Sequence, residues 1–216
     1  MPPMAEQRAT VVLAPGVFLP QWTLAPLARR LRSAGFAVRG HEYSDFLASL
    51  SENADRLALR LAPLPGPLHL VGHSLGGLLL LRLLERHPDP RFQRIVLMGT
   101  PYHGSHVAQL LARAAPTRLL LGESIRRGML AERPQWDGRT PLGVLIGSRG
   151  VGGGLLAPGL PRPHDGMVAV SEAVVPGATD TIVLKVNHTE MLFSREAARQ
   201  VAAFLRDGRF DHRAVI

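Results

Sequence analysis

The stretch Leu68-His-Leu-Val-Gly72-His73-Ser74-Leu75-Gly76-Gly77-Leu78 reads as an apolar strand, a tight turn and the start of an apolar helix. Its Gly72-x-Ser74-x-Gly76 spacing sets glycine two positions either side of a serine, as a nucleophile elbow requires. So sharp a turn presses the chain against the adjacent strand and helix, and side chains at those two positions would collide. It also forces the serine into a rare backbone conformation that lifts its hydroxyl above the sheet edge. The helix that follows directs its N-terminal dipole at the serine and favours negative charge developing there. The competing reading is a nucleotide-binding glycine turn, but neither G-x-G-x-x-G nor G-x-x-x-x-G-K-[ST] is present here.

Outward from this turn, short apolar runs alternate with helix-like stretches, the pattern of an α/β fold with a mainly parallel sheet. Strands are expected over Thr10–Ala14, Phe36–Arg39, Leu68–Val71, Arg94–Met98, Gly143–Ile146 and Thr181–Val186. Most are apolar throughout instead of alternating, so they read as buried on both faces. Helices are expected over Leu24–Ser33, Ser51–Ala62, Leu75–Arg86, His106–Ala114 and Ser194–Arg206, with Ser51, Asn53 and Asp55 forming a polar entry to the second. The interval between Met98 and Gly143 is too long for a plain crossover and too short for a domain. The expectation is therefore one domain over residues 1–216 with a small helical insertion at about 105–140, acting as a lid, an entrance ridge or simple packing. Gly150–Pro163, rich in glycine and proline, reads as a loop.

Composition narrows the chemistry. The 216 residues contain no cysteine, which excludes a disulfide scaffold, a thiolate metal site and a cysteine nucleophile. No dense His/Asp cluster suggests a metal site, and no cofactor is implied. The formal charge is +8 and Lys185 is the only lysine, so the excess is arginine. Those arginines are scattered and aromatics are only 5%, so no base-stacking platform is built and no nucleic-acid partner is expected. The charge could still favour peripheral contact with anionic lipid surfaces. The most apolar run, Leu78–Leu81 continuing to Leu84, is broken by Arg82 and far shorter than the ~20 residues a membrane span needs. Residues Met1–Arg8 lack the apolar region of a signal peptide, so cytoplasmic residence is expected. Nothing in the sequence speaks to oligomeric state.

A serine hydroxyl needs a base, and the base an anion to hold its tautomer. Of nine histidines, His188 lies just past the final strand, whereas His69 is inside a strand, His87 ends a helix and His212 is in the tail. His103, His106 and His164 remain candidates to line a site. Asp165, followed by Gly166 in a tight turn after the fifth strand and its loop, is the candidate acid; Asp137, Glu172 and Asp180 compete with it. For a developing oxyanion, one backbone donor is the N–H of Leu75 and the other comes from Ala14-Pro15-Gly16-Val17-Phe18, with Val17 first and Phe18 second. Phe18, Trp22 and His73 are candidate substrate-lining residues, the first two against the alternative of filling core.

Together these residues resemble the α/β-hydrolase superfamily, in particular its small lipase- and esterase-like branch. Gly72-His-Ser-Leu-Gly-Gly77 looks like the lipase form of the elbow. Gly99-Thr-Pro-Tyr-His-Gly-Ser105 is similar to a segment that follows the next strand in many bacterial lipases, and Asp165-Gly166-Met-Val168 and His188-Thr189 resemble that branch's acid and histidine motifs. The resemblance spans roughly Thr10 to Phe210. It implies a minimal six-stranded core and a Ser74–His188–Asp165 triad, in which the serine attacks a carboxylic ester, forms an acyl-enzyme and releases the acid to water. A thioesterase or acyltransferase would use the same triad, and a catalytically silent binding module is the rival from another class. One departure stands out: Pro15-Gly16 replaces the His-Gly usual in the oxyanion loop, which keeps the backbone donors and loses the histidine.

Overall fold

The structure, a computed structural model, describes residues 8–44, 46–113, 121–128, 130–131, 133–152 and 158–214. Six strands follow one another as β1 (Thr10–Ala14), β2 (Ala37–Gly40), β3 (Leu68–His73), β4 (Phe92–Met98), β5 (Leu142–Gly147) and β6 (Asp180–Leu184). They form one sheet in the order β2-β1-β3-β4-β5-β6, and every pairing is parallel. The helices are α1 (Ala25–Ser33), α2 (Leu50–Leu61), α3 (Leu75–Arg86), α4 (His106–Arg113), α5 (Glu123–Gly128), α6 (Val170–Ala173), α7 (Glu190–Phe193) and α8 (Arg195–Asp207).

The strands are apolar throughout because alternate residues feed two cores. Val12, Ala14, Leu70, Leu97 and Val144 pack with α2 and α3 on one face. Val11, Leu13, Val71, Val96 and Leu145 pack with α1 and α8 on the other. β2 is the exception: it is an edge strand, and most of its residues are exposed. Helix α3 is apolar nearly all round, with nine buried residues, because the sheet covers one side and α2 packs against it.

Several boundaries differ from expectation. A separate 3₁₀ turn, Gln21–Leu24, precedes α1, whose Pro26 suits the first turn of a helix. Ser49, rather than Ser51, caps α2: its hydroxyl accepts from the Glu52 N–H, while the Glu52 carboxylate accepts from the Ser49 N–H at 2.7 Å. Asn53 is buried instead of marking the helix entry, and donates to Ser44 O and to the Ser124 hydroxyl. The Ser124 hydroxyl in turn donates to Ala48 O at 2.6 Å, so buried polar contacts tie α5 to the start of α2. Within the 105–140 segment, Leu119, Leu120 and Met129 lie outside the described residues, as does Ala114 at the expected end of α4 and the middle of the Gly150–Pro163 loop.

Strand order reverses at β1: the chain passes from β1 outward to β2, then crosses back to β3 on the other side. In such sheets the carboxyl ends of the two strands flanking the reversal open a crevice. Ala14 pairs with Gly72 in register, so Pro15-Gly16 and His73-Ser74 leave the sheet side by side.

Candidate active site

Ser74 caps the N-terminus of α3 at φ 53°, ψ −124°, a conformation rarely adopted outside glycine. Two hydrogen bonds hold it there: its N–H donates to Met98 O at 2.9 Å, and its carbonyl accepts from Gly77 N–H at 3.0 Å. Both flanking glycines are obligatory for space. A Cβ on Gly72 would sit 2.5 Å from the Gly77 backbone, and one on Gly76 would strike the carbonyl oxygens of Ala14 and Pro15. The elbow is thus wedged between its own helix and the β1 loop, which accounts for the spacing of the motif.

His188 and Asp165 come from the loops after β6 and β5. His188 Nδ1 and Asp165 Oδ2 are 2.7 Å apart. The His188 N–H also donates to the Asp165 carbonyl at 2.8 Å, so backbone and side chain bind the two loops together. Asp165 has no solvent exposure. Its other oxygen, Oδ1, accepts from the N–H groups of Met167 (2.9 Å) and Val168 (2.8 Å), the turn that Gly166 makes possible at φ 98°. These bonds satisfy the buried carboxylate and fix it in direction. The competing acids are engaged elsewhere. Asp180 opens β6 at the opposite end of the sheet, where it accepts from Phe210 N–H and pairs with His212. Glu172 accepts from the N–H groups of His106 and Ala169, and Asp137 from that of Arg139.

His73 is 1% exposed and lies beneath His188, the two ring centroids 4.6 Å apart. Burial, reinforced by the neighbouring His188, pushes its pKa down to about 3, so the ring is neutral. Its Nε2 lies 2.9 Å from the His188 carbonyl oxygen and must carry the proton, which leaves Nδ1 bare. Nδ1 has no hydrogen-bond partner among the described residues and faces Gly16, where a Cβ would come within 2.9 Å. The expected substrate-lining position of His73 is therefore not what its burial gives: the side chain reaches the backbone of His188 instead.

The loop after β1 turns at Gly16–Leu19. The Leu19 N–H donates to Gly16 O at 3.3 Å, and Phe18 occupies φ 53° at the third position of the turn. In a trans peptide the N–H points away from its carbonyl, so this turn directs the Val17 N–H opposite to Leu19. Leu75 opens α3, and its N–H has no acceptor within the helix. Phe18 and Trp22 are exposed, at 60% and 71%, and so do not fill core. His103, His106 and His164 stand apart from Ser74 in their contacts: His106 bonds Pro158 O, His164 accepts from Gly166 N–H, and His103 meets the Tyr102 ring edge-on.

Two contributors escape the sequence-based expectations. The Tyr43 hydroxyl donates to Pro15 O at 2.9 Å and so pins the β1 loop from the β2–α2 connection, 28 residues away. Gly99, at φ 56°, lies under the pair of loops: a Cβ there would be 3.1 Å from both Asp165 Oδ2 and His188 Nδ1. The Gly99-Thr-Pro motif pointed to Gly99, whereas no local signal points to Tyr43.

The family model described as alpha/beta hydrolase fold matches residues 14–147, a span that includes the β1 loop and the elbow. The chain belongs to the α/β-hydrolase family. Among solved structures, this α/β-hydrolase is similar to a Bacillus licheniformis lipase, BlEst2, with a TM-score of 0.72 and 17% identity over 94% of this chain and 92% of that one. It is also similar to the carboxylesterase CesB of Bacillus subtilis, with a TM-score of 0.61 and 16% identity over 94% and 85%. A third likeness is to BorB, a type II thioesterase of the borrelidin biosynthetic cluster, with a TM-score of 0.63 and 20% identity over 94% of each chain. No curated protein sequence matches the chain significantly. Among the described residues of the hydrolase, no helix is long and apolar enough to cross a membrane.

Proposed function

We propose that the protein is a serine hydrolase of carboxylic esters with an apolar acyl group, acting through an acyl-enzyme on Ser74. The observation that carries this reading is the Asp165–His188 pair, joined by a 2.7 Å side-chain contact and one backbone hydrogen bond, with the His188 ring packed on His73, the residue before a serine held at an elbow. In this mechanism His188 Nε2 takes the proton from the Ser74 hydroxyl as its oxygen attacks the acyl carbonyl. Asp165 holds the Nδ1–H and balances the charge on the ring. The N–H groups of Val17 and Leu75 receive the carbonyl oxygen as it becomes negative. His188 then returns the proton to the leaving alcohol, and water repeats the sequence to free the acid. Preference for an apolar acyl group is supported by exposed Phe18, Trp22, Phe46, Leu47 and Phe193, which all occur in segments following the carboxyl ends of β1, β2 and β6.

Labelling by a fluorophosphonate tests the activated serine: wild type should be labelled, and Ser74→Ala should not. A folded wild type that resists labelling points to a binding module instead. The same machinery can attack a thioester, and one structurally similar protein is a thioesterase. Rates on acyl esters of increasing chain length, run beside acyl-CoA thioesters, separate the two substrates; faster turnover of thioesters would replace the ester reading.

A further inference from the structure

A groove of about 800 Å³ lies between α1, the outer face of α8 and the chain segment that follows α8. Six arginines line it: Arg30, Arg195, Arg199, Arg206, Arg209 and Arg213. Against them stand only Asp207 and Asp211. Arg195, Arg199 and Arg206 fall on one side of α8, at intervals of four and seven residues, and extend over about 17 Å of helix. Alanines at 34, 198, 202 and 203 leave the floor low, so the arginines form its walls.

The cations here are only partly neutralised. Arg199 is bonded to Glu196 and Asp211, and Asp211 also takes Arg213. Arg206 donates to Ala34 O. Arg195 and Arg209 have no carboxylate partner among the described residues. Arg30 Nη1 is shut off from solvent and has no hydrogen-bond partner among them either. A buried guanidinium nitrogen without an acceptor is costly, and converging forks of positive charge raise that cost for each neighbour.

We propose that this groove binds a soluble oligophosphate, a multiply charged anion that bridges several of the arginines. Guanidinium forks match phosphate oxygens two at a time, and the lining contains no lysine. The volume exceeds what one phosphate group fills, and the row along α8 offers successive forks to a linear anion. Recognition rests on charge: Phe210 is buried and His212 is bonded to Asp180, so no ring is held out for a base. A bilayer surface would meet only the exposed arginines at the rim, because Arg30 is half-buried and Ala198 and Ala202 are buried. The site shares no residue with the Ser74 centre, so it stands or falls independently of ester hydrolysis.

Calorimetric titration of the whole protein with sodium tripolyphosphate at low ionic strength tests the site. Arg30→Gln is the obvious variant but alters a half-buried helix residue. The double variant Arg195→Gln/Arg209→Gln removes two exposed cations that hold no carboxylate, with thermal unfolding as the check on folding. Saturable binding is expected in wild type, weakened on the order of tenfold or more in this double variant and falling steeply with added salt. The control, Arg126→Gln/Arg127→Gln on α5, removes the same charge elsewhere and should bind within about twofold of wild type. Absence of saturable binding, or equal weakening in the control, overturns the proposal. Competition from vesicles of phosphatidylglycerol that strips bound tripolyphosphate would also overturn it, in favour of lipid headgroups.

Discussion

The ring of His73 holds the backbone of His188: Nε2–H of the first donates to the carbonyl oxygen of the second at 2.9 Å. The donor belongs to the residue just before Ser74, so one hydrogen bond links the elbow directly to the loop that carries His188, the proposed base. Burial keeps the His73 ring neutral and hence fixes which nitrogen bears the proton. His73→Phe keeps a ring in the space and removes the donor. The expected result is a kcat lowered about 10- to 100-fold with little change in KM, because a displaced base costs the chemical step rather than binding. A raised KM with normal kcat would instead make His73 a substrate contact.

Asp165 and Asp180 differ in where the sheet puts them, and their substitutions should differ accordingly. Ser74→Ala and His188→Ala should each lower kcat by on the order of 10⁴–10⁶. Asp165→Asn should cost less, on the order of 10³–10⁴, through loss of the oriented tautomer. Asp180→Asn should leave kcat nearly unchanged and lower stability by about 1–2 kcal/mol, since it loses charge-assisted bonds to Phe210 N–H and His212 at the far end of the sheet. Steady-state kinetics and urea unfolding of the four variants check this; near-normal turnover in Asp165→Asn would reopen the choice of acid.

The elbow was legible because it is local: a strand, a turn and a helix contiguous in sequence, with glycines imposed by contacts a few residues away. Asp165 and His188 were legible as candidates for a related reason, since each follows a strand that the apolar runs announce. The choice among Asp165, Glu172 and Asp180 could not be made from spacing alone, because it depends on which end of the sheet a residue occupies and which N–H groups surround it. Tyr43 was invisible, since its partner Pro15 is met only when β1 and β2 pair in register. His73 looked like a residue of the site surface, and only packing of the His188 loop over the elbow turns it inward. The groove on α8 was equally hidden: its arginines come from three segments, and in sequence they read as part of a diffuse background.

Tyr43 anchors the loop whose Val17 N–H is proposed to receive the oxyanion. Its hydroxyl fixes the Pro15 carbonyl, and that carbonyl lies directly against Gly76 at the start of α3. Tyr43→Phe removes one hydroxyl and should lower kcat about 3- to 30-fold, with a fall in affinity for a boronic-acid or phosphonate transition-state mimic of similar size. Stability should change by about 1 kcal/mol, the ordinary cost of one hydrogen bond. Loss of stability with kcat and mimic affinity both unchanged would confine Tyr43 to packing.

Three buried histidines should make the fold sensitive to acid. Burial pushes the pKa of His41 and His69 down to about 4, with Arg60 and Arg94 adding to the respective effects, and that of His73 to about 3. In the unfolded chain each returns to the ordinary value near 6.5. Between those limits the unfolded state binds more protons than the folded one, so stability is full above about pH 7 and falls as pH drops through 6 toward 4. Urea unfolding at pH 7.5, 6.0 and 5.0 should show a falling midpoint, with an uptake of two to three protons on unfolding near pH 5. His69→Leu, which fills a strand position buried against Phe36 with a side chain that cannot titrate, should reduce that uptake by about one proton. A midpoint that stays level from pH 7.5 to 5.0 would mean that these rings are hydrated in the folded protein.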